Sequence, residues 1–147
     1  MRKVILALAV CLGLAAYGGN GVRNENAAKM EQAKNVKDRV EILYFHGKQR
    51  CATCMAIEKN SKEAVMAQFA KEIKKGTVVF RTIDISKPEN KKIAEKYEVT
   101  WSSLFICKWK NGKETHENLT QYAFANARKN PDTFKSEVVR KVKNLLK

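Results

Sequence analysis

The sequence lacks the features that would point to a structural zinc site or a membrane protein. It contains a single C-x-x-C motif, Cys51 to Cys54, and no H-x3–5-H pair, so we expect no structural metal. Its apolar run from Val4 to Ala16 is shorter than the roughly 20 residues that a membrane-spanning helix needs. We therefore expect no stable membrane span.

Acidic residues are also scarce. The chain has 15 Asp and Glu against 29 Lys and Arg, a formal net charge of +14. The basic residues are spread over several predicted helices, and no aromatic stacking platform accompanies them, so we expect no nucleic acid partner. A positive surface of this kind favours an anionic envelope surface or acidic partners instead.

The N-terminus has the layout of a secretory signal peptide. A positive start is followed by the apolar run from Val4 to Ala16 and then by small residues. We predict a signal peptide over residues 1–18, a tether or short helix over 19–39, and one domain over 40–147. Export would place the protein in the periplasm or cell envelope, where thiols are readily oxidised. Cys11 would be removed with the signal.

The motif Cys51-Ala52-Thr53-Cys54 is the candidate chemical centre. It lies between an apolar run, Val40–Phe45, and a stretch with helical periodicity, Met55–Lys75. Both thiols are therefore predicted at a strand-to-helix turn, where free N–H groups and the helix dipole stabilise a thiolate. Cys51 is the candidate nucleophile and Cys54 its resolving partner. The remaining Cys107 is expected to be a buried, small apolar residue.

Residues around the motif suggest supporting roles. Arg50 and Lys48 are expected to favour the thiolate, although a solvated loop cation is the plain alternative. His46 is a candidate for proton transfer or for a third soft ligand, against the alternative of a hydrogen-bonded strand end. Trp101 and Ser102 are candidates for the substrate groove, although Trp101 would equally serve to cap the core.

The order of predicted elements is β, α, β, α, β, β, α, which indicates an α/β sandwich around a central mixed sheet. The second strand is predicted over Thr77–Ile85, and Ser86–Glu89 has the pattern of a capping box that opens a helix. Asn111-Gly112 predicts a hairpin whose returning strand, Lys113–Leu119, is polar enough for a sheet edge. The last helix is predicted to start at Asn130-Pro131.

This order, with an apolar strand running into Cys51–Cys54 and a long helix after it, resembles the thioredoxin-like fold, a three-layer sandwich, over Val40–Leu146. Within that superfamily, Tyr44-Phe45-His46 and Arg50–Cys54 most resemble small exported proteins named as nitrophenyl-compound nitroreductase subunits of the ArsF family. The resemblance implies that Cys51 attacks a partner's disulfide and that Cys54 resolves the mixed disulfide. The dithiol is then the redox group, and no cofactor is expected.

The sequence departs from thioredoxins at three places. Arg50 and Ala52-Thr53 replace an aromatic residue before the first cysteine and Gly-Pro between the two. Phe45 replaces a buried carboxylate. Ser102, after Trp101, occupies the position of a cis-proline, and since a non-proline cis bond costs about 2.5–4 kcal/mol, we expect a trans bond there.

Three functions follow from these patterns. The first is an exported thiol–disulfide oxidoreductase, or a dithiol electron carrier, that acts on protein thiols or disulfides. The second is a soft-metal or metalloid binding module in which His46 joins Cys51 and Cys54. The third is a non-catalytic subunit of a redox complex in which the disulfide only staples the turn.

Overall fold

The computed structural model describes residues 37–147. The predicted signal peptide and nearly all of the predicted tether lie outside the described residues and stay predictions. The described part contains four strands and five α-helices: β1 (Arg39–His46), α1 (Ala52–Gln68), α2 (Ala70–Lys75), β2 (Val78–Asp84), α3 (Lys91–Lys96), β3 (Ser103–Lys110), β4 (Lys113–Asn118), α4 (Thr120–Asn126) and α5 (Pro131–Leu146).

The four strands form one mixed sheet in the order β2-β1-β3-β4. β1 pairs with β2 in parallel, and α1 and α2 form the crossover that parallel strands need. β3 runs antiparallel to both β1 and β4. The nearly continuous apolar sequence of β1 is explained by this central position, because a strand covered on both faces buries every side chain.

Helices cover both faces of the sheet. On one face, Ile42 and Tyr44 of β1 join a large core with Ile57 of α1 and Phe134 of α5. On the other face, a smaller cluster forms around Phe45, next to α3 and the segment that follows it. The predicted thioredoxin-like three-layer sandwich with a central mixed sheet is therefore confirmed.

The long helix predicted after the cysteines is interrupted at Phe69. This residue leaves the helical region, with φ −122° and ψ 30°, and separates α1 from α2. Its side chain is only 3% exposed and belongs to the larger core. Helical periodicity continues through the break, which is why the sequence alone predicts one helix. α2 then ends at Gly76, whose φ of 72° suits a residue without a β-carbon.

The predicted capping box at Ser86–Glu89 is wrong. Ser86 does not cap a helix but donates from its backbone N–H and its hydroxyl to Oδ1 of Asp84, at 2.9 and 2.6 Å. A 3-10 turn over Pro88–Asn90 follows before α3 begins. Serine binds nearby acceptors in turns as readily as it caps helices, and the carboxylate at the end of β2 is the closer partner.

The predicted hairpin at Asn111-Gly112 is confirmed. Asn111 and Gly112 both have positive φ, 53° and 73°, which is the conformation of a tight two-residue turn between antiparallel strands. The returning strand β4 is mostly exposed and forms the edge of the sheet. Its polar sequence therefore fits its position.

The larger core should set the stability of the domain. Phe134 is 0% exposed there, so Phe134→Ala should lower the free energy of unfolding by about 3–5 kcal/mol through lost burial and a cavity. Met66→Ala is the control, because Met66 of α1 is 42% exposed. Urea denaturation measures both, and a Phe134→Ala protein as stable as the wild type would contradict this packing.

Candidate functional site

Cys51 immediately precedes α1. Its backbone is extended, with φ −78° and ψ 163°, and its sulfur accepts a hydrogen bond from the backbone N–H of Cys54 at 3.0 Å. Its carbonyl accepts the N–H of Met55, also at 3.0 Å. Cys51 is thus the N-cap of a 17-residue helix. Its sulfur lies at the positive end of the helix dipole, which stabilises a thiolate.

The two cysteines form a disulfide, with 5.0 Å between their Cα atoms. Their exposures differ, since Cys51 lies on the surface and Cys54 is only 7% exposed. Cys51 is therefore the more accessible of the two to a partner molecule. This arrangement gives the pair an outer position for attack and an inner position for resolution.

Tyr44 ties the first turn of α1 to the sheet. Its side chain is 0% exposed, and its hydroxyl donates to the carbonyl oxygen of Cys54 at 2.7 Å. Because Tyr44 belongs to the central strand, this bond fixes the position of the cysteines relative to the core. Sequence reasoning did not find this contact, which depends on how α1 is rotated over β1.

Arg50 is held in an ion pair that the sequence did not predict. Its Nη2 contacts Oε2 of Glu58, and its guanidinium carbon lies 5.8 Å from the centroid of the Tyr44 ring. The other carboxylate oxygen of Glu58 accepts the hydroxyl of Thr82 at 3.1 Å. Arg50 therefore faces a carboxylate and does not act on the cysteines as a lone cation.

Both members of this pair are held in their charged forms. Burial opposes the charge on Arg50, but hydrogen bonds with Glu58 and Tyr44 raise its pKa. Burial likewise opposes ionisation of Glu58, but hydrogen bonds from Arg50 and Thr82 hold its pKa below the ordinary value. Lys48, the second predicted cation, is exposed on the loop before the motif.

His46 ends β1 and is partly buried. Its Nδ1 lies 2.9 Å from the carbonyl oxygen of Gly47, and its ring stacks near Tyr44 with centroids 6.1 Å apart. Within residues 37–147 no three His, Cys, Asp or Glu side chains are grouped closely enough to hold a metal ion. The third ligand that the metal-binding hypothesis assigned to His46 is therefore not brought to the two cysteines.

A shallow depression beside the disulfide brings the two predicted groove residues to the cysteines. Trp101 and Ser102 line it together with Cys51, Cys54 and Phe124. Trp101 is 59% exposed, and its ring stacks on Phe124 of α4 at 5.1 Å and 26°. The sequence patterns do not single out Phe124, because nothing in the sequence shows that α4 docks beside the motif.

Cys107 lies away from this depression, in the smaller core on β3. It is 0% exposed, and its sulfur lies 3.4 Å from the hydroxyl of Tyr97. Burial raises the pKa of Cys107 to about 12. Its expected role as a buried apolar residue agrees with this environment, because the thiol is kept protonated and out of reach.

The chain was compared with known proteins. No family model and no curated protein matches it. Among solved structures, a thioredoxin from Thermus thermophilus is 17% identical with a TM-score of 0.45, over 82% of this chain and 83% of the other. A reduced thioredoxin pre-protein from Schistosoma mansoni is 19% identical with a TM-score of 0.33, over 81% and 90%. The fold assignment rests on the strand order and pairing of this chain.

None of the helices within residues 37–147 has the length and apolar character needed to cross a bilayer.

The burial of Cys107 predicts its reactivity. In a Cys11→Ser background with the disulfide intact, the folded protein should not react with a thiol reagent at neutral pH, because the one remaining thiol is inaccessible and protonated. One thiol should react after denaturation. Cys107→Ala should abolish that signal, and rapid labelling of the folded protein would contradict the assignment.

Proposed function

We propose that the protein is an exported thiol–disulfide oxidoreductase that exchanges electrons with protein thiols or disulfides through Cys51 and Cys54. The observation that carries the proposal is the position of Cys51. Its exposed sulfur caps a helix, and a second, shielded cysteine is already bonded to it. A disulfide that served only as a staple would not need an exposed sulfur at the site where a thiolate is most stable.

The exchange proceeds in two balanced steps. The Cys51 thiolate of the reduced protein attacks one sulfur of a partner disulfide, and the other partner sulfur leaves as a thiolate. Cys54 then loses its proton and attacks the Cys51 sulfur, which releases the partner's second thiolate. The partner gains two electrons and the protein becomes the disulfide. In the opposite direction the same steps oxidise a partner dithiol.

The depression beside the cysteines is the proposed docking place for the partner. Trp101 offers an exposed ring that stacks on Phe124, and Ser102 lines the same depression as the two cysteines. The partner is a protein segment with an apolar side chain near its own cysteine. The excess of basic over acidic residues favours a partner with acidic flanks or an anionic envelope surface.

The proposed location, the periplasm or cell envelope, is based on the N-terminal sequence pattern. The positive start and short apolar run support export to the periplasm or cell envelope. The finer family resemblance, to the ArsF-type exported proteins, adds only a redox association to the proposal. Arg50 and Lys48 are proposed to favour the Cys51 thiolate, with Arg50 limited by its pairing to Glu58. His46 is proposed as a route for protons near the end of β1.

The exchange chemistry can be tested by changing each cysteine. The wild type should reduce insulin in the presence of dithiothreitol and equilibrate with glutathione, whereas Cys51→Ser should lose both activities. Cys54→Ser should retain attack but not resolution, so it should accumulate mixed disulfides with partners. Cys107→Ala is the control and should behave as the wild type. A wild-type disulfide that stays inert to glutathione and insulin would contradict the proposal.

The docking role of Trp101 can be separated from the chemistry. Trp101→Ala should slow exchange with a protein substrate about five- to thirtyfold, because removing an aromatic contact of this kind costs about 1–2 kcal/mol. Exchange with glutathione should stay unchanged, since a tripeptide does not need the ring. Met66→Ala removes another exposed apolar side chain, far along α1, and should change neither rate. Equal loss with both substrates would contradict a docking role.

A further inference from the structure

Arg50 does not direct its charge at the neighbouring cysteine. It immediately precedes Cys51, yet its guanidinium binds the carboxylate of Glu58, seven residues after Cys51. Seven residues are two turns of α1, or about 10 Å along the helix axis. The side chains of Arg50 and Glu58 therefore reach toward each other alongside the first two turns of the helix that carries Cys54.

The ion pair is sheltered from solvent. The side chains of Arg50 and Glu58 are 28% and 22% exposed, the Tyr44 ring lies beside the guanidinium, and the Thr82 hydroxyl holds the second carboxylate oxygen. Charges at such a site are screened less by water and salt than those of fully exposed pairs. Arg50 also lines the depression that contains Cys51 and Cys54, so we expect a change in either charge to act on Cys51.

The Arg50–Glu58 ion pair does not use all of the hydrogen-bond donors of Arg50. Among the described residues, Nε of Arg50 is buried and has no hydrogen-bond partner. Only Nη2 contacts Glu58, so the pair is not the two-bonded arrangement that stabilises arginine–carboxylate contacts most. A partly buried pair with an unsatisfied donor is weak evidence for a stabilising role. An electrostatic role in the chemistry of the nearby dithiol explains its position better.

We infer that Glu58 is a positioning residue that sets the reduction potential of the Cys51–Cys54 pair by holding Arg50 and cancelling its charge. This inference rests on the proposed function. The reduced protein carries a thiolate and the disulfide carries no charge, so a nearby positive charge stabilises the reduced form and a nearby negative charge destabilises it. With both charges present, the reduction potential of the dithiol lies between the value that Arg50 alone would give and the value that Glu58 alone would give.

Substitutions of the two charges should move the potential in opposite directions. The measured quantity is the equilibrium constant for the conversion of protein disulfide and two glutathione molecules to protein dithiol and glutathione disulfide. Glu58→Gln should raise this constant about two- to tenfold, since one unit of negative charge is removed near the thiolate. A tenfold change corresponds to about 30 mV for this two-electron couple.

Arg50→Gln should lower the constant by a similar factor, because Glu58 is then left without its partner. The double variant, Arg50→Gln with Glu58→Gln, should return to within about twofold of the wild type, because the net charge is restored. The pKa of Cys51, followed by thiolate absorbance, should fall in Glu58→Gln and rise in Arg50→Gln. A purely structural role would not move these two readouts in opposite directions.

Glu63→Gln is the matched control. It removes one negative charge from α1, as Glu58→Gln does. Glu63 contacts Lys135 of α5, with 2.8 Å between the Lys135 nitrogen and the Glu63 carboxylate. Glu63 is twelve residues from Cys51, about 18 Å along the axis against about 10 Å for Glu58. Its side chain is also 48% exposed, so water and salt screen its charge more strongly. The Glu63→Gln protein should have the same equilibrium constant with glutathione as the wild type. Glu58→Asp, which keeps the charge, should also stay close to the wild type.

The outcomes distinguish this inference from the function on which it rests. Wild-type exchange with a Glu58→Gln constant equal to that of Glu63→Gln, or shifted toward the disulfide, would overturn the inference alone. A wild-type disulfide that never equilibrates with glutathione would overturn the proposed function and the inference together. If Glu58→Gln fails to fold by circular dichroism, Arg50→Gln against Arg50→Lys decides the question, and equal constants would overturn the inference.

Discussion

The hydrogen bond from the N–H of Cys54 to the sulfur of Cys51 is the interaction on which the site depends. Helix N-caps need an extended residue whose side chain accepts a backbone N–H, a task usually performed by Ser, Thr, Asp or Asn. Here a cysteine performs it, so the atom that caps α1 is also the exposed sulfur of the disulfide. The Cys51 sulfur therefore serves both as the helix cap and as the reacting atom of the proposed exchange, so a substitution of Cys51 would affect both.

The sheet makes this arrangement rigid. β1 is bonded on one edge to β2 and on the other to β3, and both of its faces are buried, so its end at His46 is a fixed point. Tyr44 fixes the first turn of α1 to this strand, because its hydroxyl donates a hydrogen bond to the carbonyl oxygen of Cys54. The loop between His46 and Cys51 is short, which leaves the first sulfur exposed at the rim of a firmly packed core.

Local sequence patterns predicted the parts of the fold that local physics controls. The apolar sequence of β1 requires burial on both faces, and Asn111-Gly112 adopts the positive φ values that a tight hairpin needs. The patterns failed at two local features, the break at Phe69 and the turn at Ser86. The apolar periodicity continues from α1 into α2, so nothing in the pattern marks the break. Ser86 binds Asp84, two residues earlier, instead of capping α3, and the sequence alone does not decide between these two local partners.

In the site, what could be predicted depends on the sequence range of the contacts. The placement of Cys51 and Cys54 at a helix start could be predicted because it depends on adjacent elements. The pairing of Arg50 with Glu58 and the stacking of Trp101 on Phe124 could not, because they depend on the rotation of α1 and the docking of α4. The residues that determine the charge and the shape of the site therefore lie outside the C-x-x-C motif itself.

The absence of a carboxylate at Phe45 changes how a proton can leave the site. Phe45 is fully buried among the rings of Tyr97 and Phe105, at 5.4 and 5.8 Å, and provides no acceptor. Glu58 is occupied by Arg50 and Thr82, and the hydrogen bonds that offset its burial hold its pKa low, so it is a poor base at neutral pH. In the proposed exchange, the proton of Cys54 is then left to pass to the solvent-facing depression or toward His46 when Cys54 attacks. The ion pair beside the dithiol acts through its field and not as a proton relay.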